Sequence, residues 1–232
     1  MGPPGWCLAF VIILAGTVLP AGAEDQPADL LDISQQMVAL ERSGNDTAVL
    51  RLAKQALDMA EEAFGPDGAH VAIYADYLGM AHLKIGQERE AEPLFIRALD
   101  IREKTLGLDH TIIAVTLRHL AESYRRSGQT TKAVSSLQRA LTIDEHVIGN
   151  EAVVATNLQR LGTIFLDAGR YPESEPLLLR ALGIQEQLFG LQHPHAATTL
   201  EQYARLLRAT NREDAAARAE ARIERSRNAV KK

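Results

Sequence analysis

The sequence predicts an all-α protein, an α-solenoid of about five antiparallel helix pairs, and three observations lead to this fold class. Ala, Leu, Arg, Glu and Gln recur throughout, while aromatic residues make up only 5% of the chain, a composition that favours helices. Glycines recur with a period of 41 or 42 residues. Between these glycines, apolar residues follow the helical period of 3.6 residues.

Two series of glycines share this period. In each series the successive members are separated by 42, 42 and 41 residues. The first series is Gly65, Gly107, Gly149 and Gly190, and the second is Gly44, Gly86, Gly128 and Gly169. Because glycine adopts positive φ angles without a Cβ penalty, each series predicts points at which a helix ends and the chain turns. The second series continues 42 residues later at Asn211, and asparagine is the usual substitute for glycine in that conformation.

The segments between the glycines carry helical patterns. Ala91, Phe95 and Ala98 fall on one helix face, and this pattern returns in the later copies. The preceding helices place a bulky residue beside a small one, as in Leu161 and Gly162, so that two helix backbones can approach closely. First helices are predicted near 28–43, 70–85, 111–127, 152–168 and 195–210. Second helices are predicted near 46–64, 88–106, 130–148, 172–189 and 212–228.

These helix pairs predict one repeat domain over residues 24–232, because no Pro-, Gly- or Ser-rich linker interrupts the array. Its repeats are expected near 28–65, 70–107, 111–149, 152–190 and 195–228.

The first 23 residues differ from the rest. They are almost wholly apolar from Trp6 to Leu19 and end in Ala21-Gly22-Ala23 before an acidic pair, which is typical of a secretory signal peptide. The predicted location is therefore the periplasm or the extracellular space. The Lys or Arg expected near the start of a signal peptide is missing, so an uncleaved N-terminal membrane anchor is the alternative.

Composition and motifs exclude several functions. A net charge of -5 argues against nucleic-acid binding, which needs a basic surface. The only cysteine, Cys7, lies within the predicted signal peptide, so no thiolate metal site is expected. His193 and His195 flank a proline without the helical spacing that presents metal ligands together, and they are interpreted as loop residues. No catalytic or cofactor-binding motif is present, and the chain is predicted not to be an enzyme and to bind no cofactor or metal.

Two segments carry a family resemblance. Residues 90–104 read EAEPLFIRALDIREK, residues 106–110 read LGLDH, and residues 171–182 read YPESEPLLLRAL. These segments resemble tetratricopeptide repeats, specifically the 42-residue type of kinesin light chains. The resemblance implies a right-handed solenoid in which the first helices line a concave groove that binds a partner protein or peptide.

The resemblance also points to the residues that would line the groove. They are Ile73, Asp76, Met80, Leu83, Arg118, Glu122, Arg125, Gln159, Thr163, Glu201, Arg205 and Arg208. The arginine side chains suit carboxylates of a peptide. The alternative is that Arg118 with Glu122, and Glu122 with Arg126, form pairs four residues apart on a solvated helix.

The predicted function is an exported scaffold that binds a protein or peptide. The alternative is a self-associating structural or regulatory subunit of an envelope complex, with repeat faces stacking between chains of a homo-oligomer.

Overall fold

The computed structural model of the protein describes residues 28–190 and 194–229. The predicted signal peptide and His193 lie outside these residues, as does the side chain of His195. The described residues form ten helices and no strand: α1 Ala28–Arg42, α2 Asp46–Phe64, α3 Ala69–Lys84, α4 Glu88–Leu106, α5 Thr111–Arg126, α6 Thr130–Glu145, α7 Glu151–Asp167, α8 Tyr171–Phe189, α9 Pro194–Ala209 and α10 Glu213–Ala229. The odd-numbered helices are the predicted first helices and the even-numbered ones the second helices.

The chain divides into two compact units, the first ending at Thr105 and the second beginning at Leu106. In the first unit, one apolar core joins α1 to α4 and includes Met37, Val49, Tyr74 and Ile101. In the second unit, α5 to α10 pack as successive pairs. Leu200, Leu207 and Ile223 belong to the apolar cluster that joins α9 and α10.

The predicted glycine turns are confirmed. All eight glycines of the two series have φ between 72° and 88°, and Asn211, with φ of 57°, is the only non-glycine residue with positive φ in the described part of the chain. At Asn211 the N–H of Arg212 donates to the carbonyl of Leu207 at 2.8 Å. The same bond joins Arg170 to Phe165 beyond Gly169, which is the Schellman arrangement that ends a helix.

Two glycines of the first series differ in conformation from Asn211, which continues the second series. Gly65 and Gly190 have ψ of 166° and 160°, which lies outside the left-handed helical region and in a region accessible essentially only to glycine. The turn at Asn211 instead uses a left-handed residue, for which asparagine is tolerated. This difference explains why a substitution occurs in the second series.

Two glycines allow close helix contacts. A Cβ atom on Gly79 would lie 2.7 Å from the Phe95 ring, and one on Gly162 would lie 2.8 Å from the Leu178 side chain. Both distances are shorter than van der Waals contact, so the predicted role of these small residues agrees with the packing. Beside the Gly162–Leu178 contact, the hydroxyl of Ser174 also donates to the carbonyl of Gly162 at 2.7 Å.

Successive second helices are joined by an ion pair that recurs with the repeat. Arg97 pairs with Glu61 in the first unit. In the second unit Arg180 pairs with Glu145 at 2.7 Å, and an equivalent pair joins Arg222 to Glu186. The glutamates and arginines of this series recur in the sequence with the repeat period, but their pairing was not predicted. Because the side chains remain partly exposed, each pair contributes on the order of 1 kcal/mol or less.

Helix α6 ends at Glu145, three residues earlier than the predicted position 148. The side-chain amide of Asn150 donates to Asp144 at 2.9 Å and holds the following turn against the helix end. Val147 and Ile148 in this turn are β-branched, and β-branched residues have a lower intrinsic helix propensity.

Candidate functional site

In the first unit, the candidate residues lie on α3 and divide into two groups. Ile73 and Met80 are partly exposed, whereas Asp76 is 0% exposed and Leu83 is 7% exposed. Asp76 forms a buried ion pair with Arg102 on α4, with 3.1 Å between the nitrogen and the oxygen. Sequence reasoning placed Asp76 and Leu83 in the groove lining, but both side chains are directed into the helix packing. Ile73 and Met80 are therefore the candidates in this unit that a partner could reach.

In the second unit, Asp144 on α6 holds two first helices together. It accepts hydrogen bonds from Arg118 on α5 at 2.5 Å and from the side-chain amide of Asn157 on α7 at 2.7 Å, besides the bond from Asn150. Burial lowers the pKa of Arg118, and the charge and hydrogen bond of Asp144 partly offset that effect. Arg118 thus pairs with Asp144 on the neighbouring helix.

Glu122 connects two further arginines of α5. Arg125 donates two hydrogen bonds to it, both at 2.8 Å, and Arg126 donates a third at 2.7 Å. The predicted pairing of Glu122 with Arg126 is therefore present. Burial alone would raise the pKa of Glu122, but the hydrogen bonds from Arg125 and Arg126 outweigh it and hold the pKa below its ordinary value. Arg125 is itself exposed, so a bound partner can contact its side chain.

Arg160 on α7 is a site residue that sequence reasoning missed. It is partly buried and lies in the field of Arg118, Glu122 and Arg125 on α5. Burial lowers the pKa of Arg160 to about 10, and the positive charges of Arg118 and Arg125 act in the same direction. Its neighbour Gln159 was selected instead because the expected register placed position 159 in the groove. The sequence signal that could have identified Arg160 is its positive charge next to position 159, which was predicted to line the groove.

The remaining candidates lie along α7 and α9 of the same unit. Thr163 and Gln159 are partly exposed, and the Thr163 hydroxyl donates to the carbonyl of Gln159 at 2.8 Å. Arg205 is exposed and pairs with Asp167 on α7 at 3.0 Å. Arg205 therefore connects α9 to α7.

Two further candidates complete α9. Glu201 is partly exposed, and Arg208 is exposed and pairs with Glu220 on α10 at 2.8 Å. Glu220 occupies the place that Leu178 holds in the preceding pair, so its pairing with Arg208 gives the last helix a polar contact where earlier pairs have an apolar one.

We call the exposed and partly exposed candidates of α5, α7 and α9 the first-helix surface. Its residues are Arg118, Glu122, Arg125, Gln159, Arg160, Thr163, Glu201, Arg205 and Arg208. The cross-helix bonds at Asp144 and Asp167 hold these three helices together. The surface presents guanidinium groups, the carboxylates of Glu122 and Glu201, and neutral polar groups. Within residues 28–190 and 194–229, no three His, Cys, Asp or Glu side chains are grouped as metal ligands would be.

No helix in the described part of the chain combines the length and apolar character needed to cross a membrane.

A chain built from short, regularly spaced helix pairs of this kind is a helical-repeat protein. The family model for the tetratricopeptide repeat matches residues 38–104, 77–146 and 153–229. The chain therefore belongs to the tetratricopeptide-repeat family. No match is found among curated proteins.

Solved structures share the fold. A kinesin light chain repeat protein from Podosopora anserina aligns with a TM-score of 0.77 and 19% identity, over 89% of this chain and 98% of that one. BtubC (BKLC) from P. vanneervenii aligns with a TM-score of 0.75 and 20% identity, over 86% and 80%. Bacillus thuringiensis PlcR, solved in complex with the peptide PapR7 and DNA, aligns with a TM-score of 0.63 and 15% identity, over 92% and 73%. The predicted all-α class and the tetratricopeptide-repeat family are confirmed, and the fold is shared with kinesin-light-chain repeats.

Proposed function

We propose that this protein is an exported scaffold that binds a partner protein or peptide along its first helices. The observation that carries the proposal is the first-helix surface, where side chains from three successive first helices lie on one compact unit and are held by cross-helix bonds. Such a surface lets an extended or helical segment contact several repeats at once. Family membership supports a protein-binding role, and PlcR, which shares the fold, was solved in complex with a peptide.

Site-specific photo-crosslinking in cells tests the binding surface. A photoreactive residue at position 125, on the exposed part of α5, is expected to capture a partner. The matched control is position 135, an exposed serine on the second helix α6. The captured protein is then purified, and its affinity is measured for the unmodified protein, Arg125→Glu and Ser135→Glu. Weaker binding by Arg125→Glu alone supports the proposal, whereas equal capture or equal loss at both positions contradicts it.

The self-associating alternative has its own measurement. Sedimentation velocity over a range of protein concentrations separates a monomer that binds a partner from a homo-oligomer. A concentration-dependent oligomer that persists in Arg125→Glu and Arg205→Glu, with no partner captured, would favour self-association.

Export is tested on the protein isolated from its own cells. Signal cleavage after Ala23 predicts a mature chain that begins at Glu24 and is found outside the cytoplasm. Intact mass and N-terminal sequencing check this prediction. A chain that retains residues 1–23 in the membrane fraction would support the anchor alternative.

A further inference from the structure

The second unit exposes apolar side chains where the chain passes from a second helix to the next first helix. Of the eleven large apolar side chains that are exposed in the described part of the chain, six lie at three such turns. Ile148, in the middle turn, is fully exposed, at 101%. We call this set the turn ridge, and its residues are Leu106, Leu108, Val147, Ile148, Leu188 and Phe189.

The three turns recur at the same end of successive helix pairs. The guanidinium of Arg139 on α6 donates to the carbonyl of Leu108 at 3.2 Å, which holds the first turn against α6. Arg180 on α8, the equivalent residue of the next repeat, pairs with Glu145 at the end of α6, just before the second turn. The third turn follows the end of α8 at Phe189. The apolar side chains of the turn ridge therefore form one row along an edge of the second unit.

The size of the turn ridge suits a protein interface. Its six side chains expose on the order of 500 Å² of apolar surface, an area that marks an interaction site on many proteins. A stable interface needs about 800 Å² from each partner, of which about 65% is apolar in homodimers. The turn ridge supplies most of that apolar area.

Charged side chains flank the turn ridge in a self-complementary order. In the first turn Lys104 precedes the apolar residues and Asp109 follows them, and 42 residues later His146 and Glu151 occupy the same places. All four side chains are exposed. At the third turn the place of His146 is taken by Gln187, which adds no charge. A basic side chain thus lies on the second-helix side of two turns and an acidic one on the first-helix side.

The corresponding turn of the first unit differs in both features. Its flanking residues, Glu62 and Asp67, are both acidic. Its apolar residue, Phe64, is only partly exposed, and its ring stacks on that of His70 with 4.2 Å between the centroids. Two copies of this turn would bring like charges together, so the self-complementary pattern belongs to the second unit.

We propose that the turn ridge binds the turn ridge of a second copy of this chain and forms a two-fold dimer. With the two-fold axis along the row, each turn faces the same turn of the partner, and the first-helix and second-helix sides are exchanged. Lys104 then faces the partner's Asp109, and His146 faces the partner's Glu151. Ile148 packs against the partner's Ile148, so that the most exposed apolar side chain is covered.

A second copy fits this edge better than a lipid surface does. An anionic membrane would meet Asp109 and Glu151 with like charge, whereas a second copy supplies the opposite charge at both places. The inference goes beyond the proposed function, because the turn ridge shares no residue with the first-helix surface.

Sedimentation velocity of the mature chain over a range of concentrations is expected to show a monomer–dimer equilibrium. Ile148→Ser should raise the dimer Kd at least tenfold, because it removes an apolar side chain from both halves of the interface. Leu179→Ser is the matched control. It changes a leucine on α8 that is 44% exposed and lies ten residues before Phe189, and it should change the Kd less than twofold. Circular dichroism and thermal melting verify that the variants are folded.

A charge exchange tests the arrangement of the two copies. Lys104→Asp places like charges at two symmetric contacts and should raise the Kd severalfold. Adding Asp109→Lys to Lys104→Asp restores opposite charges across the interface and should return the Kd to within about twofold of the unmodified protein. A double variant that is no better than Lys104→Asp overturns the proposed arrangement.

Three further outcomes overturn the proposal. The first is a monomer at all concentrations, and the second is equal weakening of the dimer by Ile148→Ser and Leu179→Ser. The third is a monomeric chain that co-sediments with vesicles of phosphatidylglycerol and phosphatidylcholine and loses this binding in Ile148→Ser, because the turn ridge would then contact lipid.

Discussion

Arg118 on α5 and Asp144 on α6 form an ion pair across one helix hairpin, with 2.5 Å between the charged atoms. The residues 42 positions earlier, Asp76 and Arg102, form the corresponding pair in the preceding hairpin with the charges exchanged. Pairing α3 with α6, or α5 with α4, would bring like charges together. Since buried like charges are unfavourable, the exchange favours the native partner over a similar helix from the neighbouring repeat.

The Arg118–Asp144 pair predicts a stability effect. Asp144→Ala leaves Arg118 without its partner and two asparagine amides without their acceptor, and should reduce the free energy of unfolding by about 3–5 kcal/mol. Removing one partner of the exposed pair Arg208–Glu220 should cost about 1 kcal/mol or less. Urea unfolding of Asp144→Ala and Glu220→Ala measures both. Similar losses in the two variants would contradict the structural importance of Asp144.

Exchanging the charges extends this test. Arg118→Asp with Asp144→Arg should be more stable than either single variant, because an ion pair is restored. It should remain less stable than the unmodified protein, since Asn150 and Asn157 donate to a carboxylate and cannot donate to a guanidinium. Urea unfolding of the four proteins gives the coupling free energy between the two positions, and a coupling near zero is inconsistent with the ion pair.

Gly162 predicts a packing effect. Gly162→Leu places a side chain where even a Cβ atom would be 2.8 Å from Leu178, and should destabilise the protein by about 1–3 kcal/mol. Gly183 is also helical, but a Cβ atom there meets nothing within 4 Å. Gly183→Leu should be neutral or stabilising, because leucine favours helix more than glycine does. Thermal melting compares the variants, and equal midpoints would show that α7 and α8 do not pack as described.

The two kinds of turn respond differently to substitution. Gly190→Ala forces a residue with a Cβ atom into a glycine-only conformation with φ of 88° and ψ of 160°, at a cost of about 1–3 kcal/mol. Asn211→Gly should change stability by less than about 0.5 kcal/mol, because both residues accept the left-handed conformation. Denaturant unfolding distinguishes the two outcomes. A neutral Gly190→Ala would mean that this turn does not require positive φ.

Glu122 predicts a dependence of stability on pH. Its pKa in the folded protein lies below the ordinary value of 4.5, so its stabilising contribution is present at neutral pH and is lost as the pH falls through the folded pKa. Glu122→Gln should therefore be less stable than the unmodified protein at pH 7, and the difference should shrink toward pH 3. Urea unfolding across this range measures it, with Glu62→Gln, an exposed change on α2, as the control. A difference that is constant with pH would contradict the role of Glu122.

Much of the fold follows from local sequence signals. The positive φ angles at the periodic glycines and at Asn211 could be predicted because the requirement lies in the backbone of one residue. Helix bounds agreed to within three residues because helical periodicity and turn residues act over short distances. The candidate site was less predictable. The burial of Asp76 depends on Arg102, 26 residues away, and that pairing is set by how two helices rotate against each other.

The sequence by itself determined the all-α class, the repeat period and the first helices as a candidate binding surface, because glycine positions and apolar spacing act through local backbone geometry. Only the tertiary structure decided which charged side chains of those helices are buried. It removed Asp76 and Leu83 from the exposed candidates and placed Arg160 within the electrostatic influence of Arg118 and Arg125. The physical reason is that burial and charge proximity depend on contacts between helices, which the spacing of residues along one helix does not specify.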